Sequence, residues 1–181
     1  KPEFVKSLNK ASNKYIKEAR KTQKDYVKKH GDFGTSYHST PLVRDNDFLD
    51  FRNYIGQKSW EFLDHHGYDM KQYQTFFSEM WVQEFSKKGG GHHSAHIHMN
   101  QHVSGFYFLK CSARSTKLRL KPELKGIFHG TDQIHFRPKP GTLVIFPGYL
   151  EHAYAVDHGK EPFRFIHWNI TAIPKEMAKD S

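Results

Sequence analysis

After residue 75, short apolar and aromatic runs alternate with glycine and proline turns, and this pattern limits the possible fold more than any other feature of the chain. Runs of this length are typical of β-strands, and many short strands separated by turn residues are typical of sandwiches, barrels and jelly rolls. Strands are predicted over 76–85, 96–98, 105–110, 118–120, 133–137, 143–146, 152–156 and 163–170. The second part of the chain is therefore predicted to be an all-β core.

The first 70 residues have a different pattern. Over residues 3–29, apolar side chains recur at intervals of three, four and seven with Lys and Arg between them, which predicts an amphipathic helix ended by Gly31. A second helix is predicted over 47–66, and residues 31–46 are predicted to be a loop or an extended arm. We expect one domain over 1–181, with a helical flank and arm over 1–70 and a β core over 71–175, because such helices pack against a sheet.

Composition excludes several classes of protein. The only cysteine is Cys111, so no intrachain disulfide and no multi-thiolate zinc site can form, and any metal must be held by nitrogen and oxygen ligands. No apolar run approaches the roughly 20 residues of a membrane helix, and we expect a cytoplasmic protein, in the host cytoplasm if it is viral. The net charge of +9 lies largely in the N-terminal helix, which indicates one basic helix face rather than a nucleic-acid groove. We therefore expect neither a membrane nor a nucleic-acid partner.

The histidines are the candidate metal ligands. His96 and His98 are two positions apart, and side chains at i and i+2 of a strand point to the same face, so both imidazoles could reach one ion. His152, at the start of a later predicted strand, is the best candidate for a third ligand. Neutral imidazole suits Fe, Zn, Cu and Ni, so these residues do not by themselves choose the metal.

Arg164 is a lone charge in the aromatic and aliphatic strand predicted over 163–170. Burying a guanidinium is costly unless it has an anionic partner. A dicarboxylate ligand, bound through the planar guanidinium fork, is one such partner, and an Asp or Glu of the protein is the other.

Several stretches together resemble the 2-oxoglutarate/Fe(II) oxygenase superfamily, in particular the prolyl-hydroxylase-like oxygenases of marine phages and bacteria. They are Trp81-Val82-Gln83, His96-x-His98 with Ser104-Gly105-x-Tyr107-x-Leu109, the run 141–147 with His152, and Arg164 with Asn169. The resemblance implies a mainly β fold with N-terminal helices, namely a double-stranded β-helix of the jelly-roll or cupin-like kind, and it implies Fe(II) and 2-oxoglutarate as cofactors. It places metal ligands at His96 and His152, and at Arg164 the group that pairs with the far carboxylate of 2-oxoglutarate.

The sequence departs from the family where the usual carboxylate ligand would stand, because that position is His98. His98 could itself be the third ligand, an acid such as Glu84 or Glu151 could replace it, or two histidines could leave a position for an anion or water. We favour His98 because of its spacing from His96. The resemblance also implies a cofactor pocket containing Ser104, whose hydroxyl would support the cofactor on the face shared with Phe108, together with Trp168 as a wall and Asn169.

The function predicted from this resemblance is hydroxylation of a C–H bond, with a small molecule or a peptide, such as a prolyl peptide, as substrate. Two alternatives stay open at this point. A cupin-like dioxygenase with three histidines and no 2-oxoglutarate explains His98 but leaves Arg164 without a role. A basic, non-catalytic binding module predicts that no metal is bound.

Overall fold

A computed structural model describes residue 1 and residues 3–111, 117–121 and 134–179. The helices are α1 (Phe4–Thr22), α2 (Lys24–His30) and α3 (Leu49–His65), with 3-10 turns at Asn46–Phe48 and Met177–Lys179. The single helix predicted over 3–29 is interrupted at Gln23, whose ψ of 8° is not helical, and Gly31 ends α2 with φ of 78° as predicted. In the part of the chain described, no helix has the length and apolar character needed to cross a membrane.

Within the described ranges, nine strands form two sheets. They are β1 (Ser36–His38), β2 (Tyr73–Phe85), β3 (His92–His96), β4 (Val103–Lys110), β5 (Lys117–Lys121), β6 (Ile134–Phe136), β7 (Leu143–Pro147), β8 (Glu151–Ala155) and β9 (Phe163–Pro174). The larger sheet has the order β1-β2-β9-β4-β7 and the smaller sheet the order β3-β8-β5-β6. Each predicted strand has a counterpart, whereas β1 lies inside the predicted arm, where its three residues pair with the end of β2.

One face of the larger sheet is covered by the helices. Apolar residues of α1 and α3, such as Leu8 and Phe51, form one buried cluster with Val82, Ile166 and Trp168 of the sheet. The amphipathic pattern that predicted α1 is therefore satisfied by packing on this sheet. The opposite face of the same sheet meets the smaller sheet.

A second apolar cluster fills the space between the two sheets, and it is mostly phenylalanine. It contains Phe106 and Phe108 of β4, Phe163 and Phe165 of β9, and Tyr154 of β8. Since β9 is covered on both faces, all eight residues from 163 to 170 are buried. Alternate residues of β9 therefore belong to different cores, the odd-numbered ones facing the smaller sheet and the even-numbered ones facing the helices.

At Gly105 of β4, the backbone lies very close to a side chain of the helix-facing core. A Cβ atom there would lie 2.3 Å from Cζ2 of the buried Trp168. We expect Gly105→Ala to lower the free energy of unfolding by about 1–3 kcal/mol, because the indole cannot move away in a close-packed core. Gly56→Ala in α3 is the matched control, since its Cβ would meet only Phe77 at 3.6 Å. Urea unfolding of both variants should show loss at position 105 and no loss at position 56, and equal stabilities would contradict this reading of the packing.

Candidate metal centre

Three histidines converge at one end of the space between the sheets. His96 is the last residue of β3 and is the cross-strand partner of His152 on β8. His98 follows the end of β3, where its backbone N–H donates to the carbonyl of Gly148 at 2.8 Å. One nitrogen from each ring lies within 4.8 Å of one nitrogen from each of the other two. The predicted meeting of His96, His98 and His152 is present, but His98 reaches it from a turn and not as the neighbour of His96 on a strand.

The separations suit a single ion. His98 Nε2 and His152 Nε2 are 3.2 Å apart, close to the roughly 3.0 Å between two ligands at right angles on bonds of about 2.1 Å. The Nδ1 atoms of His96 and His152 lie 2.8 Å and 3.0 Å from the carbonyls of Ser94 and Leu150. These contacts place the proton on Nδ1 and leave Nε2 as the ligand atom, which is the usual arrangement of metal-binding histidines.

A buried polar network stands behind His98. Asn169 is fully buried, and its side-chain Nδ2 donates to Glu79 Oε2 at 2.7 Å and lies 3.4 Å from His98 Nδ1. Ser104 Oγ donates to Asn169 Oδ1 at 2.6 Å. Two residues predicted to contact the cofactor, Ser104 and Asn169, thus lie near the centre, where Asn169 is next to His98 and Ser104 bonds to Asn169. Asn169 therefore lies between the Glu79 carboxylate and His98, the residue that stands where a carboxylate ligand would be usual.

Burial keeps the three imidazoles neutral. Desolvation is the largest cause of each shift, lowering the pKa of His98 to about 4, that of His152 to about 3, and that of His96 below its ordinary 6.5. The neighbouring histidines lower these pKa values further, since one imidazolium would repel another. Neutral rings with free lone pairs are the form that binds a metal ion.

The same shifts predict that acid destabilises the metal-free protein. In the unfolded chain these histidines take up protons near pH 6.5, whereas in the folded protein His98 stays neutral to about pH 4 and His152 to about pH 3. The unfolded state therefore binds more protons between these limits, and stability falls as the pH falls. Each such histidine contributes a slope of about 1.4 kcal/mol per pH unit. Urea unfolding at pH 7, 6 and 5 measures this slope, which should be shallower in His152→Gln, and an equal slope would contradict the prediction.

A cavity of about 200 Å³ opens beside the three histidines. Its walls come from both sheets and combine aromatic rings with a few polar groups. The lining residues are Trp81, Gln83, His93, His96, His98, Phe106, His152, Tyr154, Phe165 and His167. The volume suits a small acid rather than a drug-sized ligand.

Arg164 does not line this cavity, and the structure contradicts its predicted role as the anchor of 2-oxoglutarate. Arg164 is 3% exposed and lies on the helix-facing side of β9. Its Nε donates to Glu84 Oε2 at 2.7 Å, and its Nη1 donates to Asn13 Oδ1 at 2.9 Å and to the carbonyl of Asn9 at 3.2 Å. The sequence allowed two anionic partners for this guanidinium, a dicarboxylate ligand or an acid of the protein. In the structure the partner is an acid of the protein, Glu84.

Two other predicted cofactor contacts and both alternative acidic ligands also lie away from the histidine cavity. Trp168 shares the helix-facing side with Arg164 and packs edge-on against Phe51 of α3, so it cannot wall the cavity. Phe108 faces the smaller sheet but is enclosed by other phenylalanines and does not line the cavity. Glu84 is committed to Arg164 and Arg20, and Glu151 is next to His152 on β8, so its side chain points to the other face.

Four polar residues of the cavity were not predicted as site residues: Gln83, His93, Tyr154 and His167. A signal for them existed, since Tyr154 is two positions after His152 and His167 two before Asn169, and such neighbours share a face of a strand. Tyr154 Oη donates to Gln83 Oε1 at 3.3 Å, which joins the two sheets across the cavity.

Comparison with known proteins agrees with this geometry. Residues 79–165, which include the three histidines, match the sequence profile of a family described as "Putative 2OG-Fe(II) oxygenase". A search of curated protein sequences found no match.

Solved structures share the fold. A Pseudomonas putida prolyl-4-hydroxylase is similar with a TM-score of 0.57 and 12% identity, over 94% of this chain and 88% of that one. An oxidoreductase of the 2OG-Fe(II) oxygenase family from Burkholderia pseudomallei is similar with a TM-score of 0.56 and 14% identity, over 75% of this chain and 68% of that one. A Trichoplax adhaerens prolyl hydroxylase was solved with a peptide fragment of the hypoxia inducible factor oxygen degradation domain. It is similar with a TM-score of 0.52 and 12% identity, over 83% of this chain and 68% of that one.

The fold and the site define a double-stranded β-helix with N-terminal helices and a histidine cluster at the mouth of its barrel, so the predicted fold class is confirmed. The family match over residues 79–165 and the similar structures support the 2-oxoglutarate/Fe(II) oxygenase superfamily, whose members are dioxygenases that use Fe(II) and 2-oxoglutarate, as the class of this chain. Neither a phage origin nor a cytoplasmic location follows from these findings, and both stay predictions.

Proposed function

We propose that this chain binds one Fe(II) through the Nε2 atoms of His96, His98 and His152 and hydroxylates a C–H bond of a peptide, with a prolyl residue as the favoured target. The observation that carries the proposal is the convergence of three neutral imidazoles within 4.8 Å of one another beside a cavity. In the balanced reaction, the substrate C–H, 2-oxoglutarate and O₂ give the C–OH product, succinate and CO₂. Bound Fe(II) and 2-oxoglutarate together supply the oxygen activation.

Gln83 and Tyr154 would hold the far carboxylate of 2-oxoglutarate in place of Arg164. They are polar groups in a wall otherwise rich in phenylalanine, and they already bond to one another. Burial raises the pKa of the Tyr154 phenol, so the phenol keeps its proton and can donate a hydrogen bond to an anion. A buried neutral donor gains a charge-assisted hydrogen bond when a carboxylate arrives.

The remaining lining residues would exclude water and orient the substrate. Phe106, Phe165 and Trp81 make the cavity walls apolar, which strengthens electrostatic interactions within it. Ile97 and Met99 flank His98 in the chain, Tyr149 follows the Gly148 that bonds to His98, and all three are exposed, with 40%, 76% and 62% of their surface accessible. Exposed apolar side chains of this kind suit contact with a peptide side chain such as proline. Two of the similar structures are prolyl hydroxylases, one of them solved with a peptide, which supports the choice of substrate class.

The test has a binding arm and a turnover arm. Anaerobic addition of 2-oxoglutarate to the Fe(II)-loaded protein should produce the visible charge-transfer band of the chelate, and O₂ with prolyl-containing peptides should give succinate and peptide heavier by one oxygen. Tyr154→Phe keeps the ring and removes the hydroxyl, so it should weaken 2-oxoglutarate binding about tenfold, as loss of one hydrogen bond to a charged group does.

Two outcomes would refute this proposal in different ways. Metal uptake without any 2-oxoglutarate binding would favour the three-histidine dioxygenase that needs no keto acid. Failure to take up Fe(II) would favour the non-catalytic module.

A further inference from the structure

His167 is the one cavity residue whose buried polar atom lacks a partner among the described residues. It is 4% exposed, and its Nδ1 makes no hydrogen bond. Leaving a buried donor or acceptor unpaired costs about 1–3 kcal/mol, so an orphan of this kind in a folded protein needs an explanation. A ligand that enters the cavity would provide the missing partner.

The surroundings of His167 leave few other roles for its ring. The imidazole stacks on Trp81, with centroids 4.6 Å apart and planes at 25°, and meets Phe106 edge-on at 4.7 Å. These rings fix its orientation and give its Nδ1 no hydrogen-bond partner. Its centroid is 5.3 Å from that of His98, yet it is not among the three histidines whose nitrogens converge. His167 is therefore beside the metal position rather than at it.

A neutral imidazole in this place offers one N–H donor and one lone pair. Burial lowers the pKa of His167 well below 6.5, and the nearby histidines lower it further. Among the described lining residues there is no Lys or Arg, so an anion on the metal would find its hydrogen-bond donors among neutral groups.

We propose that His167 is a positioning residue that hydrogen-bonds to an anionic oxygen or nitrogen ligand bound at the metal, and so sets the orientation of that ligand. This assignment rests on the proposed function, since it requires an ion on His96, His98 and His152. It adds a fourth histidine with a separate task, because the other three hold the ion and His167 holds what the ion binds.

The test uses azide, a small anion that binds directly to metals, with the cobalt-substituted protein and its visible spectrum as the readout. His167→Phe fills similar space but cannot hydrogen-bond, so we expect one Co(II) per chain as in the wild type and an azide affinity about tenfold lower. His167→Gln, which keeps a donor, should stay closer to the wild type than the Phe variant does. His92→Phe, at an exposed position of β3, is the control and should bind azide as the wild type does.

Thermal unfolding separates this role from a structural one. Removing an unpaired buried polar atom should leave the melting temperature of metal-free His167→Phe equal to or above that of the wild type, whereas loss of a structural residue would lower it. Unchanged azide affinity in a cobalt-loaded His167→Phe protein would overturn the assignment alone. A wild-type protein that takes up no cobalt would overturn the proposed function and this assignment together. If the Phe variant fails to fold, His167→Leu takes its place in the same measurements, and the same outcomes decide.

Discussion

Replacing His152 with Ala is expected to remove the metal from the protein and to abolish turnover. His152 is 1% exposed and is the cross-strand partner of His96. Its Nε2 lies 3.2 Å from Nε2 of His98, so His152 is next to both of the other histidines. Its loss leaves two ligands, one of them beyond the end of its strand. Metal content after dialysis should fall from about one ion per chain to less than a tenth of that, because two imidazoles do not hold a divalent ion against buffer.

The control for this variant is His92→Ala, which removes an exposed histidine from the same strand as His96. It should keep its metal and its turnover. Circular dichroism must show that His152→Ala is folded, which we expect because the packed rings around it, including Phe146 with its centroid 4.7 Å away, are apolar and stay in place. Equal metal content in His152→Ala and the wild type would show that the ion is bound elsewhere or is not specific.

The second large effect is expected at Glu84. Its carboxylate, in a residue only 2% exposed, pairs with Arg164 at 2.7 Å and with Arg20 at 2.8 Å, and Lys110 Nζ is 3.9 Å away. Glu84→Gln keeps the shape but removes the only acidic partner of the buried Arg164 guanidinium found in the described residues. We expect the free energy of unfolding to fall by about 3–5 kcal/mol, the usual cost of an uncompensated buried charge.

Arg164→Met should cost less, about 1–2 kcal/mol, because Glu84 keeps Arg20 and Lys110 as partners when Arg164 is removed. The double variant, with neither buried charge of the pair, should be more stable than Glu84→Gln alone. Urea unfolding of the two single variants and the double variant measures this asymmetry. The folded Arg164→Met protein should also bind 2-oxoglutarate with unchanged affinity, and a large loss of that affinity would restore the role that the family resemblance implied for Arg164.

The structural role of Arg164 also affects the choice between enzyme classes. A three-histidine dioxygenase was disfavoured on the sequence because it left Arg164 unexplained, and the ion pair with Glu84 removes that objection. The family match over 79–165 and the fold support the 2-oxoglutarate-dependent class instead. The neutral donors Gln83, Tyr154 and His167 then become the groups that an acidic cofactor would meet.

His98 lies close to His96, as its spacing predicted, but for a different structural reason. The i, i+2 spacing placed it beside His96, on the assumption that both are on one strand. In the structure β3 ends at His96, and the carbonyl of Gly148, fifty residues later in the chain, holds the backbone of His98 in place. The spacing was informative because two residues cannot separate far, whatever the local conformation.

The sequence by itself determined the order of helices and strands, the β core after residue 75 and the cluster of candidate ligands, because these depend on local periodicity and residue type. It could not determine which way the side chains of β9 point. In a strand with one solvent-exposed face, the alternation of polar and apolar residues shows which side chains point inward. Residues 163–170 are all buried, because the helices cover one face of β9 and the smaller sheet covers the other. Only the tertiary structure, which brings Asn9, Asn13 and Glu84 to the even-numbered face, decided that Arg164 is structural and that His167 looks into the cavity.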